Sequence, residues 1–185
     1  MAERDIIVDK MRLSYEGIFK VSELYKLIDN WFRQKGYDKR EKRLAESVTK
    51  NGKFIEWELE PWKKITDYAK IVIRLRVILT DIKEIDVEVD KTKVKMNQGK
   101  ADFIFDGILE TDYENRWEAK PLFFFLRTVF DRFIFKPYTV GFSSNCIDDV
   151  NDLQTKIKAF LNLYRFSDIA WSKPAYSWPP DETAF

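Results

Sequence analysis

The side chains able to do chemistry are few, and their types narrow the field. The chain contains no histidine, which removes the commonest general base, the usual activator of a nucleophile and the commonest metal ligand together. Its single cysteine, Cys146, follows Ser143, Ser144 and Asn145 near an expected helix start, a setting that can lower a thiol pKa. Without a histidine beside it a cysteine-protease arrangement is closed, and a small residue at a helix start is the plainer role. The same two counts close the usual zinc sites. The six glycines are scattered singly, so no glycine-rich phosphate loop exists. No catalytic residue, metal or cofactor is expected.

One carboxylate stands out. Asn51-Gly52 is a strong hairpin signal, and a tight turn there sets Lys50 opposite Lys53, Val48 opposite Ile55 and Glu46 opposite Trp57. Glu46 then lies on an apolar face, where it must be neutral, paired or aimed into a cavity. Glu46 and Trp57 are therefore the ligand-binding candidates; a slip of register or a partner such as Asp9 are the plainer alternatives. Upstream, Arg33, Lys35, Lys39, Arg40, Lys42 and Arg43 form a basic stretch relieved by Asp38 and Glu41. Such a cluster can touch an RNA phosphate backbone without reading sequence, or it can simply be solvated.

The elements that must position these residues follow from periodicity. A first strand spans Ile6 to Tyr15 with Met11, Leu13 and Tyr15 on one face. Val21, Leu24, Leu27, Ile28, Trp31 and Phe32 keep helical spacing, and Gly36 sits where a C-cap glycine belongs. Strands at 71–79, 85–89 and 101–109 alternate apolar and charged residues, the pattern of an antiparallel sheet wet on one face and covered on the other. A basic strand followed by an acidic one should bring Arg74 and Arg76 to Asp86 and Glu88. Two helices supply the cover. One runs from Pro121 through Leu122 to Phe135, stopped by Pro137. The second is capped by Asn145 and turns Ile147, Val150, Leu153, Ile157, Phe160, Leu161 and Tyr164 inward. The expected fold is α+β: a curved antiparallel sheet of five to six strands with one apolar face covered by helices.

Composition sets the outer bounds. With 185 residues, 45% hydrophobic and 34% charged, the chain is globular, and residues 1–164 are expected to form one domain. A net charge of +1 gives no global pull toward nucleic acid or an anionic membrane. The longest apolar run, Leu122 to Leu126, is far short of the roughly 20 residues that span a bilayer, and the N-terminus lacks a secretory h-region. A lone cysteine suits a reducing compartment, so a cytoplasmic location is expected, and the Lys/Glu/Ile-rich composition is thermophile-like.

Surplus aromatic surface is the other signal, in fifteen Phe, eight Tyr and six Trp. Phe124 stands in the polar stripe of helix 121–135 with Arg127, Thr128 and Asp131, and Phe135 projects there too. Residues 165–185 form an extended tail carrying Pro174, Pro179 and Pro180 among Trp171, Tyr176 and Trp178. Phe124, Phe135, Trp171, Tyr176 and Trp178 are the partner-interface candidates, although the tail can equally staple its own domain.

The order strand, helix, antiparallel meander, long helix over residues 5–164 resembles the helix-grip arrangement of START-like and pollen-allergen-like domains. The resemblance implies a cavity between sheet and helix able to take an apolar ligand. Those families place two short helices after the first strand, where one is read here, and this chain offers little glycine for a mobile gate. The favoured expectation is a non-catalytic interaction protein, acting as a homodimer or larger homo-oligomer, or as a factor bound to a ribosome or other ribonucleoprotein. A carrier or sensor of an apolar small molecule is the alternative, and a carboxylate enzyme built on Glu46 comes third.

Overall fold

The computed structural model describes residues 3–89, 92–111 and 136–166. The expected helix 121–135, with Phe124 and Phe135, and the tail residues Trp171, Tyr176 and Trp178 lie outside the described residues. The elements are β1 (Glu3–Phe19), α1 (Val21–Gln34), β2 (Glu41–Thr49), β3 (Gly52–Leu59), β4 (Trp62–Lys64), β5 (Ala69–Val89), β6 (Thr92–Thr111) and α2 (Lys136–Phe166). The strands form one six-stranded, open, curved antiparallel sheet in the order β1-β6-β5-β3-β2, with β4 continuing beside β5 where Pro61 ends β3. The chain is an α+β protein of the expected kind.

Alternation builds the core. Ile73, Leu75, Val77 and Leu79 of β5 and Ala101, Phe103 and Phe105 of β6 are completely buried on the inner face. Both helices lie there, α2 against β1, β5 and β6 and α1 beside it. From α2, Cys146, Val150, Leu153, Ile157 and Leu161 point in, at helical spacings of three and four. Ile147, expected inward, is exposed, because the stripe is set by Cys146. A Cβ on Gly107 would lie 2.8 Å from the Cys146 sulfur and 3.3 Å from Val8, so glycine is what lets helix and sheet approach.

Three expectations give way here. The strands at 71–79 and 85–89 are one strand, β5, bent by a register shift between Thr80 and Lys83 where Asp81 takes φ +56°. That bulge resets the alternation without ending the strand. Arg74 and Arg76 consequently share a strand with Asp86 and Glu88 and turn instead to β3, Arg74 to Glu60 at 3.0 Å and Arg76 to Glu58 at 4.0 Å. α2 already includes Pro137, well before the expected helix start at Asn145; the helix that Pro137 is expected to stop lies outside the described residues. Asn145 and Cys146 are therefore interior to a helix, and neither marks its start.

Candidate functional site

The end of α1 fixes the first cluster. Gly36 has φ +73°, Gly36 N–H donates to the Arg33 carbonyl at 3.1 Å and Tyr37 N–H to the Phe32 carbonyl at 2.9 Å. This pair of bonds is a Schellman closure, with the Phe32 and Tyr37 rings in edge contact as its apolar clasp. It throws Lys35 and Tyr37 toward α2. The Tyr37 hydroxyl donates to Asp149 at 2.9 Å, Lys35 pairs with Asp149 at 3.0 Å and Asp152 at 3.3 Å, and the Trp31 indole N–H donates to Asp152 at 2.9 Å. Burial, aided by the Asp149 charge, pushes the Tyr37 phenol well above its usual range. The bond to Asp149 holds Lys35 up, and the bond from Trp31 holds Asp152 below the usual carboxylate range. The cluster is a polar joint between the two helices.

A second cluster ties α1 to the start of β2. Lys39 gives its three donors to the Tyr25 hydroxyl at 2.7 Å, Glu41 at 2.9 Å and Asp29 at 3.1 Å, and Tyr25 donates to Glu41. The bond to Tyr25 raises the Lys39 pKa, the bond to Glu41 raises that of Tyr25, and the same bond lowers that of Glu41. Beside them Tyr25, Phe32, Tyr37, Arg40, Leu59 and Pro61 border a crevice of about 20 Å³, room for one water.

The basic stretch does not converge on one anion site. Arg33 pairs with Asp29 at 2.9 Å, Lys35 and Lys39 pair as described, Lys42 pairs with Glu60 at 3.2 Å, and Arg43 with Glu56 at 3.6 Å. Arg40 makes no ion pair among the described residues. Lys42 and Arg43 belong to the outer face, where Glu60 sits between Lys42 and Arg74. Burial pushes its carboxyl up, but those two cations outweigh it and hold the acid ionised.

Glu46 and Trp57 are not brought together. The turn is Lys50-Asn51, closed by the pair Thr49–Gly52, so Glu46 faces Ile55 and Leu44 faces Trp57. Gly52 is needed elsewhere: at φ +154° a Cβ on it would meet the backbone of Asp81 and Ile82 at 2.7–2.9 Å. Tertiary contact with the β5 bulge moved the turn by one residue. Glu46 is 56% exposed and 3.7 Å from Lys53. Asp9, on β1, stands at the far edge of the sheet and cannot share a site with it. Trp57 is buried with Tyr25 edge-on at 5.3 Å. Cys146 is fully buried, and burial with the Asp149 charge pushes its thiol up to about 11. Among the described residues no group of acids and cysteine is placed to hold a metal.

What sequence reasoning missed is an edge. β2 ends the sheet among the described residues, and its outer side has no neighbouring strand. A pair closing a two-residue turn is hydrogen bonded, and hydrogen-bonded and open pairs alternate along an antiparallel ladder. Thr49, Ser47, Ala45 and Arg43 therefore spend their backbone groups on β3, whereas Val48, Glu46 and Leu44 turn N–H and C=O outward. Those residues also carry the inner-face side chains, with Leu44 66% and Val48 80% exposed. The available signal was the run Leu44-Ala45-Glu46-Ser47-Val48-Thr49, strand-forming and with one charge, at the end of a hairpin.

The fold and this edge define the chain as an α+β protein with an open sheet whose apolar margin is unpaired among the described residues. Comparison with protein-family models, with curated proteins and with solved structures finds no match for it.

Proposed function

We propose that this chain is a non-catalytic interaction protein, working as a homo-oligomer or as a factor within a larger assembly, and that β2 is its contact edge. The observation that carries the reading is the joint exposure of Leu44 and Val48 beside backbone groups that no described strand satisfies. Sheet edges are ordinarily blunted by charges, prolines or bulges, because an open edge templates another strand. Here the bulge between Glu41 and Arg43 blunts one end, and residues 44–49 are left open. The titratable groups around the helices support the absence of catalysis. Lys35 and Lys39 are held protonated, Tyr25 and Tyr37 are held neutral, and the thiol is buried and neutral, so none is poised to exchange a proton near pH 7. The carrier alternative requires a polar anchor at an enclosed apolar space, and an exposed Glu46 is a poor one. An RNA-containing host enters this reading through Arg40, the one residue of the basic stretch with no ion pair among the described residues. Binding through it alone should show a shallow salt dependence, about one phosphate contact's worth.

Amide hydrogen exchange tests the proposal. The N–H groups of Leu44, Glu46 and Val48 should exchange freely in dilute protein and become protected in concentrated protein or in an extract of the source cells. Free exchange of all three under every condition would remove β2 as a contact edge.

A further inference from the structure

The geometry points to a second copy of this chain as the occupant of the edge, with β2 paired antiparallel to its counterpart across a two-fold axis through Glu46. This rests on the reading of β2 as the contact edge and adds the partner's identity and register.

A two-fold normal to the sheet keeps the inner faces of both copies on one side. Residues with outward backbone groups, 44, 46 and 48, must then oppose one another. An axis on Ala45 sets Leu44 against the partner's Glu46 and Val48 against the partner's Lys42. An axis on Leu44 sets Glu46 against the partner's Lys42, but that lysine lies in the bulge and reaches Glu60 on the outer face. An axis on Ser47 sets Leu44 against Lys50 and Val48 against Glu46. Only the axis on Glu46 places Leu44 opposite the partner's Val48 in both halves, so that each exposed apolar side chain meets an apolar one. The pairs 44–48, 46–46 and 48–44 can each exchange both N–H···O bonds.

Two further features agree with that axis. The regular part of β2, from the bulge to the turn, is Arg43 to Thr49, and its midpoint is Glu46. Charge across the junction is partly offset. The two Glu46 carboxylates face each other, and each has Lys53 at 3.7 Å, a lysine shared with Glu84 at 3.7 Å, so the like-charge pair at the axis is only partly offset. On the outer face Ala45 meets Ser47 and Arg43 meets Thr49, which brings no like charges together. The product is one continuous sheet running through both copies.

Sedimentation equilibrium of the full chain, from low micromolar to several hundred micromolar, should show a monomer–dimer equilibrium. Val48→Lys, at a site already exposed, should leave the far-ultraviolet circular dichroism unchanged and weaken the dimer at least about tenfold. Glu46→Gln should tighten it about two- to fivefold by removing the like-charge pair. A nitroxide on Asn51→Cys, in the turn just beyond Thr49, should report its counterpart at about 30 Å plus the label arms. Buried Cys146 stays unlabelled in this experiment. A monomer at every concentration, a dimer indifferent to Val48→Lys, or a clearly different spin–spin distance would each overturn the pairing. Protection of the 44, 46 and 48 amides in extract by a chain that stays monomeric would overturn self-pairing while leaving the interaction reading intact.

Discussion

A single cross-strand row on the inner face runs Leu13, Phe103, Val77, Trp57, Leu44, one residue from each strand of the path β1-β6-β5-β3-β2. Phe103 and Val77 are fully buried, Trp57 is 6% exposed and Leu44 is 66% exposed. Side-chain chemistry hardly changes along this row; cover does. Two helices side by side roof roughly 20 Å, whereas five strands span about 24 Å. With α2 over β1, β6 and β5, and Tyr25 of α1 reaching Trp57, the roof formed by the described residues ends one strand short. The same sequence pattern thus lies buried on one strand and exposed on another, according to where the described helices stop.

The sharpest way to break this comparison is to cut into the roofed half. Leu153→Ala removes a fully buried side chain between α2 and the sheet and should cost about 2–5 kcal/mol in denaturant unfolding. A loss under 1 kcal/mol would mean the roof is loose and the contrast with β2 is false. Next in size is Gly107→Ala. Its added Cβ meets both the Cys146 sulfur and Val8, and overpacking here should cost about 3 kcal/mol. Replacing Cys146 with alanine in the same background should recover much of that loss, since the sulfur is the nearer obstacle.

Burial of the thiol sets a third, pH-dependent effect. The unfolded thiol ionises near 9.0 and the folded one near 11, so between those values unfolding releases a proton. Stability must then fall as pH rises through that window, by at most about 2.7 kcal/mol for a shift of this size. The clustered lysines and tyrosines, whose pKa values are also raised on folding, add a fall of the same sign, so the readout is the difference between the native chain and Cys146→Ala. Parallel curves from pH 8 to 11 would show that the thiol is not sealed.

Much of the architecture was legible because alternation and helical spacing are local signals. Leu75, Phe103, Val150 and Leu153 declare themselves by period alone, and Gly36 marks the end of α1. The errors arose where a distant contact overrides a local rule. Gly52 reads as a turn residue, but the close approach of the β5 bulge claims it and shifts the register of β2. Ile82 breaks the alternation of β5, which resembles a strand end until Asp81 is seen to absorb the extra residue. Tyr37, Lys35 and Trp31 find Asp149 and Asp152 more than a hundred residues away, and no spacing along the chain announces such pairs. Asp29 and Glu41 pair with the basic stretch from beside or within it, whereas Glu56, Glu60, Asp149 and Asp152 reach it from elsewhere in the fold, which no local pattern announces.

The smallest expected effect carries the comparison furthest. Leu44→Ala removes as many carbon atoms as Leu153→Ala, on the inner face of the sheet that Leu153 of α2 packs against. In the dilute monomer Leu44 buries only about a third of its surface, so the change should cost less than about 0.5 kcal/mol. At concentrations where copies pair, the same substitution removes both of the contacts expected with Val48. The unfolding midpoint of the native chain should then rise with protein concentration, while that of Leu44→Ala stays nearly flat, because only a species that binds the folded state shifts its stability by mass action. A large penalty at high dilution would place Leu44 in the core of the monomer, and the boundary between roofed and open sheet would have to move outward by one strand.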